Sequence, residues 1–346
     1  MTRSKCCPIC RRSLCRLPNG KERKIMERLP QDRGDNEKGV VCAANEARFT
    51  AANYSEPLTA FTVGWKDREN VEEMLNFVAP AISVGKRFEF KRAENGEAFL
   101  SEVDDVRAVG SAFKRVDFSG NSVMEKTLNK GLTVRVDHDD TAGDDWQERH
   151  VQALLRRLYR NELRRAVAAL DAAVTATELS WGGSDGSQNP DGDLRMALSA
   201  AANESGLRPN RILFGEGAWD VRANVYDGQN SSAAQRAAHM DLEELARKLF
   251  VDAVRVFGAR YQSSAAAKTP IVGNAIYLFN AQNEIIKDEP ANIKRFVTPF
   301  DGNNFRVYVE EHSKYTDITV EHYSNIIITS PLGIRHIAVT EGEIDD

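Results

Sequence analysis

Cys7-Pro-Ile-Cys10 is the first stretch whose residue types and spacing have a chemistry of their own. Two cysteines separated by two residues are half of a zinc knuckle, and Cys15 is near enough to add a third thiolate. The second C-x-x-C pair that completes such a site is missing, and Cys42 stands alone at no ligand spacing. His138-Asp139-Asp140, with Glu148 and His150, offers metal-ligating types as well. The plainer reading is an acidic start to the helix that follows, which the helix dipole favours. Asn189-Pro-Asp191-Gly-Asp193 is acidic and turn-rich, but its glycine and a terminal Glu are not where a calcium loop needs them, so it reads as a linker. His312, His322 and His336 are scattered in or beside strand-like text and read as structural. Neither common glycine-rich nucleotide loop nor a nucleophile elbow occurs, so the sequence makes no case for catalysis or for a cofactor. The remaining cluster is Arg156, Arg157, Arg160, Arg164 and Arg165. Arginines four apart on a helix repel one another, so this patch calls for anions: acidic groups of the same chain, of a neighbouring subunit or scaffold, or of nucleic acid.

The arginines belong to a stretch, Asp144 to Trp181, without internal Gly or Pro and bracketed by Gly143 and Gly182. Val151, Leu154, Leu155, Leu158, Leu163, Val167, Leu170 and Val174 form one apolar stripe, which predicts a single amphipathic helix roughly 50 Å long at ~1.5 Å per residue. Asp144 and Gln147 make a capping-box-like pair at its start. Ahead of it, residues 27–56 are polar; 57–65 fit a short strand or packed loop; 68–77 have helical spacing that ends at Pro80. From Ile82 to Phe90 apolar and polar residues alternate as in a half-buried strand, and residues 91–140 stay polar and strand-like. That region has too few apolar residues for a core of its own and reads as a long two-stranded excursion. Residues 193–279 alternate helix and strand as a compact α/β unit, and 296–339 hold only short strands.

The chain has 346 residues and a formal net charge of −5. Residues 1–25 hold eight Lys/Arg and one Glu, a net of +7, which leaves −12 on the rest. An acidic body of this kind does not fit a sequence-specific DNA binder. No run approaches ~18 apolar residues, so no membrane-spanning segment is expected. Lys21-Glu22-Arg23-Lys24-Ile25-Met26 back-translates naturally to a purine-rich ribosome-binding sequence ahead of a start codon. The expectation is that residues 1–25 are a non-native translated leader, with a basic arm or a zinc knuckle as the alternatives.

The order of arm, β excursion, long helix, α/β insertion and terminal strands resembles the major capsid proteins of tailed bacteriophages, the Hong Kong 97 fold. Phe77-Val-Ala-Pro80 with Val84, Phe88-Glu-Phe90, Glu97-Ala-Phe99 and Arg107-Ala-Val-Gly110 resemble the family's segment before its extended loop and the loop itself. Arg208-Pro-Asn-Arg-Ile-Leu213 with Gly217-Ala-Trp219, Val254 to Tyr261, and Tyr315 to Tyr323 continue the likeness in the same order. The resemblance implies an α+β fold with an N-terminal arm at 26–85 and an extended β-hairpin E-loop at 86–142. A P domain would comprise a spine helix at 143–182 together with 280–346, and an α/β A domain would span 183–279. It also implies a non-enzymatic head protein that assembles into the pentamers and hexamers of an icosahedral shell around packaged double-stranded DNA. The partners implied are further copies of itself, a separate scaffolding protein and a portal, and the location is the virion after assembly in the host cytoplasm. An encapsulin-like nanocompartment is the alternative. In some relatives an E-loop lysine is crosslinked to a neighbour's asparagine; Lys126 or Lys130, with Asn303 or Asn304, occupy candidate positions. The arginine patch becomes a candidate contact with a neighbouring subunit, the scaffold or the lumenal genome.

Overall fold

The computed structural model describes residues 14–16, 22–24, 49–66, 69–94, 106, 107, 109, 111–113, 120–141, 143–264 and 266–342. In chain order it contains β1 (Leu14–Arg16) and β2 (Glu22–Lys24), α1 (Glu56–Gly64), α2 (Val71–Val78), β3 (Ala81–Ser83), β4 (Arg87–Arg92), β5 (Asn121–Lys126), β6 (Leu128–Asp137), α3 (Trp146–Ala173) and β7 (Thr177–Trp181). There follow α4 (Pro190–Ser205), β8 (Arg211–Gly215), α5 (Glu216–Asp227), α6 (Ser232–Ala238), α7 (Leu242–Leu249), β9 (Ala253–Phe257), β10 (Arg260–Gln262), β11 (Lys268–Pro270) and β12 (Ala275–Phe279). The chain closes with β13 (Ile293–Val297), β14 (Phe305–Glu311), β15 (Tyr315–Ile328) and β16 (Arg335–Glu341).

α3 runs 28 residues, roughly 42 Å, and buries the expected stripe from Val151 to Leu170. The predicted helix is too long by its last turns. Val174, Thr175 and Thr177 are β-branched and lose side-chain freedom in a helix, and the chain turns extended at Val174. Thr177–Trp181 then pairs in parallel with β16. At the other end the cap is Asp145, not Asp144, and its side chain makes no cap bond; its carboxylate is held by Arg149 instead.

α3 lies on a sheet organised by the fourteen-residue β15. β6 pairs with residues 315–324 of that strand, β14 with 316–322 and β13 with 324–328, all antiparallel. β3 then pairs in parallel with β13. The long strand shows a burial pattern closed on both faces over much of its length, because α3 covers one side and cross-strand polar pairs cover the other. Residues 128–137 therefore do not belong to a free two-stranded excursion. They alternate cleanly enough to read as part of one, but their partner lies about 190 residues away in sequence, in the closing strands. The hairpin proper is β4 with β5, whose base is seated by Phe88 and Phe90 against Phe296, at ring-centroid distances of 4.4 and 5.3 Å.

The second sheet has the order β7-β16-β12-β8-β9 and holds the α/β insertion, with α4, α5 and α7 contributing to its core. Its strand β16 comes from the end of the chain. All five residues of β8 are buried, as in a strand covered on both faces. Gly206 ends α4 in the left-handed region at φ 78°, where a side chain is disfavoured. α1 replaces the strand or loop expected at 57–65. Ser55 caps it by accepting from Leu58 N, and Pro57 sits in its first turn, where no backbone donor is needed. No helix among the described residues is long and apolar enough to cross a membrane.

Candidate functional site

The five arginines project from the middle of α3, and the chain itself engages four of them. Arg160 pairs with Glu69, ahead of α2. Arg165 Nη1 donates to Glu162 Oε1 at 2.7 Å, one turn back on the same helix. Arg164 lies over the Tyr261 ring at 5.0 Å and Arg156 over Trp65 at 5.8 Å. Arg157 is exposed and makes no ion pair among the described residues. The patch thus divides into Arg156, Arg160, Arg164 and Arg165, which the chain itself engages, and Arg157, which faces outward.

Beneath the patch lies a polar cluster that sequence periodicity does not reveal. Glu162 sits on the buried side of α3 with 2% of its side chain exposed. It accepts from Lys130 Nζ at 2.8 Å, from Ser324 Oγ at 2.7 Å and from Arg165. Lys130 Nζ also donates to Ser324 Oγ at 3.1 Å. One carboxylate thereby joins α3, β6 and β15. Burial opposes the charge on Glu162, but the imidazole of His322 and the ammonium of Lys130 outweigh it and hold the carboxyl well below its usual range. His322 Nε2 is 3.7 Å from Glu162 Oε1, too far for a hydrogen bond, and Lys130, Arg165 and Ser324 make the contacts. Burial pulls Lys130 and His322 below their ordinary values, against the attraction of Glu162. Lys130, a crosslinking candidate by position, has its amine committed to this cluster. Asn303 is held in a tight turn by reciprocal backbone bonds with Phe300.

A second buried cluster corrects the linker expected at 189–193. Asn189 caps α4 through Gly192 N, and Asp191 inside the first turn is 1% exposed. Asp191 accepts from Arg222 Nε and Nη2 at 2.7 and 3.0 Å and from Lys248 Nζ at 2.8 Å. Asp193 accepts from Trp181 Nε1 at 2.9 Å. Their partners on β7, α5 and α7 are what turn an acidic, loop-like text into the start of a helix.

His138, Asp140, Glu148 and His150 do not converge. His138 Nε2 is 3.0 Å from Thr316 Oγ1, and the His150 ring stands edge-on to Trp146. His336 stacks on Tyr277 at 4.6 Å, with Nδ1 3.3 Å from Asp171 of α3, which links the insertion sheet to the long helix. Cys7 and Cys10 lie outside the described residues, and of Cys15 only the backbone is described, paired with Arg23 in a short hairpin.

No family model matches the sequence, and no curated protein matches it. Among solved structures, a phage-related protein from Bordetella bronchiseptica superposes with a TM-score of 0.63 at 18% identity, covering 82% of this chain and 96% of that one. The holo encapsulin complex from Synechococcus elongatus gives a TM-score of 0.45 at 10% identity, over 88% and 99% of the two chains. The mature capsid of bacteriophage PhiM1 gives 0.44 at 9% identity, over 80% and 89%. The likeness to the Bordetella protein shows a common fold.

Proposed function

We propose that this chain is the major capsid protein of a tailed bacteriophage or prophage, a subunit of the pentamers and hexamers of an icosahedral shell around packaged double-stranded DNA. The observation that carries the reading is the fold shared with the phage-related protein over almost the whole of that chain. The β4–β5 hairpin supports it. Beyond its base, Val106, Val109 and Phe113 are exposed, a run of apolar groups that a neighbouring subunit would cover.

In this reading the E-loop rises from the β4–β5 hairpin, with β6 anchoring its return. α3 and the β15 sheet form the P domain, and the insertion forms the A domain, which the closing strand β16 completes. Arg157 contacts a neighbouring subunit, the scaffold or the lumenal genome, and the net charge of −12 outside residues 1–25 suits a lumenal wall that does not hold DNA tightly. A scaffolding protein and a portal are the expected assembly partners, in the host cytoplasm. The test is expression with the scaffolding protein, followed by electron microscopy and size-exclusion chromatography. Closed shells or capsomers tens of nanometres wide are expected, whereas a persistent monomer with scaffold present overturns the reading. Native shells filled with an enzyme and free of DNA would reassign the chain to nanocompartments.

A further inference from the structure

The register of three strands brings Glu310, Asp317 and Arg135 into one row. Glu310 of β14 is paired directly with Asp317 of β15, which is paired in turn with Arg135 of β6. Opposed residues of a sheet project from the same face, and so do residues two apart on one strand. His312, two residues past Glu310 at the end of β14, therefore returns to the face that carries the two carboxylates. Its backbone N donates to Tyr315 O at 2.9 Å, closing the hairpin end, and its ring leans on Tyr315 at 4.5 Å. Arg135 Nε and Nη2 donate to the Asp317 oxygens at 2.8 and 2.9 Å.

His312 Nε2 is shielded from solvent, makes no hydrogen bond among the described residues and lies 3.4 Å from Glu310 Oε1. One ligand atom from each of Glu310, His312 and Asp317 lies within 4.8 Å of the others. Zinc bonds of about 2.0–2.2 Å set tetrahedral ligand atoms about 3.4 Å apart, so the Glu310–His312 spacing already fits and Asp317 needs only a small side-chain adjustment. Two carboxylates and an imidazole suit a borderline divalent metal better than magnesium or calcium, which take oxygen ligands. We propose that Glu310, His312 and Asp317 bind a divalent transition-metal ion of the zinc class at the turn end of the β14–β15 hairpin. Water completes the coordination on the open side, since Glu310 and His312 are part exposed. The guanidinium of Arg135 stays on Asp317 as its outer partner. The ion would join the end of β14 to β15, apart from the buried carboxylate of Glu162 that ties the same sheet to α3.

The test is titration of the full-length chain with Co2+ and Zn2+. Co2+ on the N/O site gives a weak visible band, whereas thiolates of Cys7, Cys10 or Cys15 give an intense near-ultraviolet charge-transfer band, so the two candidates separate in one spectrum. Calorimetry with Zn2+ on the C7S/C10S/C15S chain should give one equivalent and a raised Tm, with no response to Mg2+. His312→Ala and Glu310→Gln should each weaken binding at least tenfold. No saturable Zn2+ binding in the C7S/C10S/C15S chain, or binding that His312→Ala leaves unchanged, overturns the proposal. The same titrations on unassembled chain keep this result independent of whether shells form.

Discussion

Replacing Glu162 by alanine is the sharpest perturbation of the joint between the long helix and its sheet. The carboxylate is the common acceptor for Lys130, Ser324 and Arg165, and Arg295 is a further buried cation whose charge it supports. Without it, the Lys130 ammonium, 12% exposed, faces two arginines with no counter-charge. Breaking a buried pair from one side typically costs about 3–5 kcal/mol, a large part of the stability of an ordinary domain. Removing the lysine as well takes away the stranded charge, so Glu162→Ala/Lys130→Met should be less destabilised than Glu162→Ala alone. The assay is urea unfolding of unassembled protein, with a double-mutant cycle over the pair. The pH dependence has a definite sign. Because the folded carboxyl titrates below its unfolded value, the stabilisation is fully present above the ordinary Glu pKa of about 4.3 and is lost as pH falls through the folded value. Wild type should lose stability faster on acidification below about pH 4.3 than Glu162→Ala does. A loss under about 1 kcal/mol in the single variant, or strictly additive effects in the double, would refute the reasoning.

Three further outcomes follow from the same physics. Lys294 is 1% exposed and donates to the carbonyls of Lys287 and Glu289; burial pushes its pKa down to about 8, against the pull of Asp288 and Glu289. Between pH 8 and the unfolded value of about 10.4 the unfolded chain binds the extra proton, so this group makes stability rise with pH by up to about 3 kcal/mol. Urea titrations at pH 8 and 10 should show that rise in wild type relative to Lys294→Met; equal pH dependence in the two counts against it. Arg157→Glu should impair shell formation while leaving the monomer's urea midpoint within about 0.5 kcal/mol, since the side chain is exposed and unpaired among the described residues. Arg160→Glu should instead lose monomer stability as well, because it breaks the pair with Glu69.

Much of the architecture was legible where a local rule acts on local residues. The stripe on α3 needed only the helical period, and the end of α2 just before Pro80 needed only the constraint a proline puts on the residue ahead of it. The readings that failed depended on distant partners. Thr177–Trp181 continued the helical text but meets β16, and Leu128–Asp137 alternated like the hairpin beside it but belongs with β15. β-branched Thr and Val mask α1 in the sequence, although Ser55 and Pro57 carry a start signal.

The candidate sites divide in the same way. Periodicity placed the five arginines on one helix, but only tertiary packing decided that Arg156, Arg160, Arg164 and Arg165 serve the chain itself while Arg157 faces outward. Nothing near Glu162 or Asp191 in sequence marks them as buried; their cations are contributed by other elements, and a charge enters a core only when such partners are assembled around it. The row of Glu310, Asp317 and Arg135 depends on strand register, a relation between segments that no single segment contains. Sequence by itself determined the helix, the charge balance and the order of elements, because each is a property of neighbouring residues or of their sum. The tertiary structure decided which charges meet.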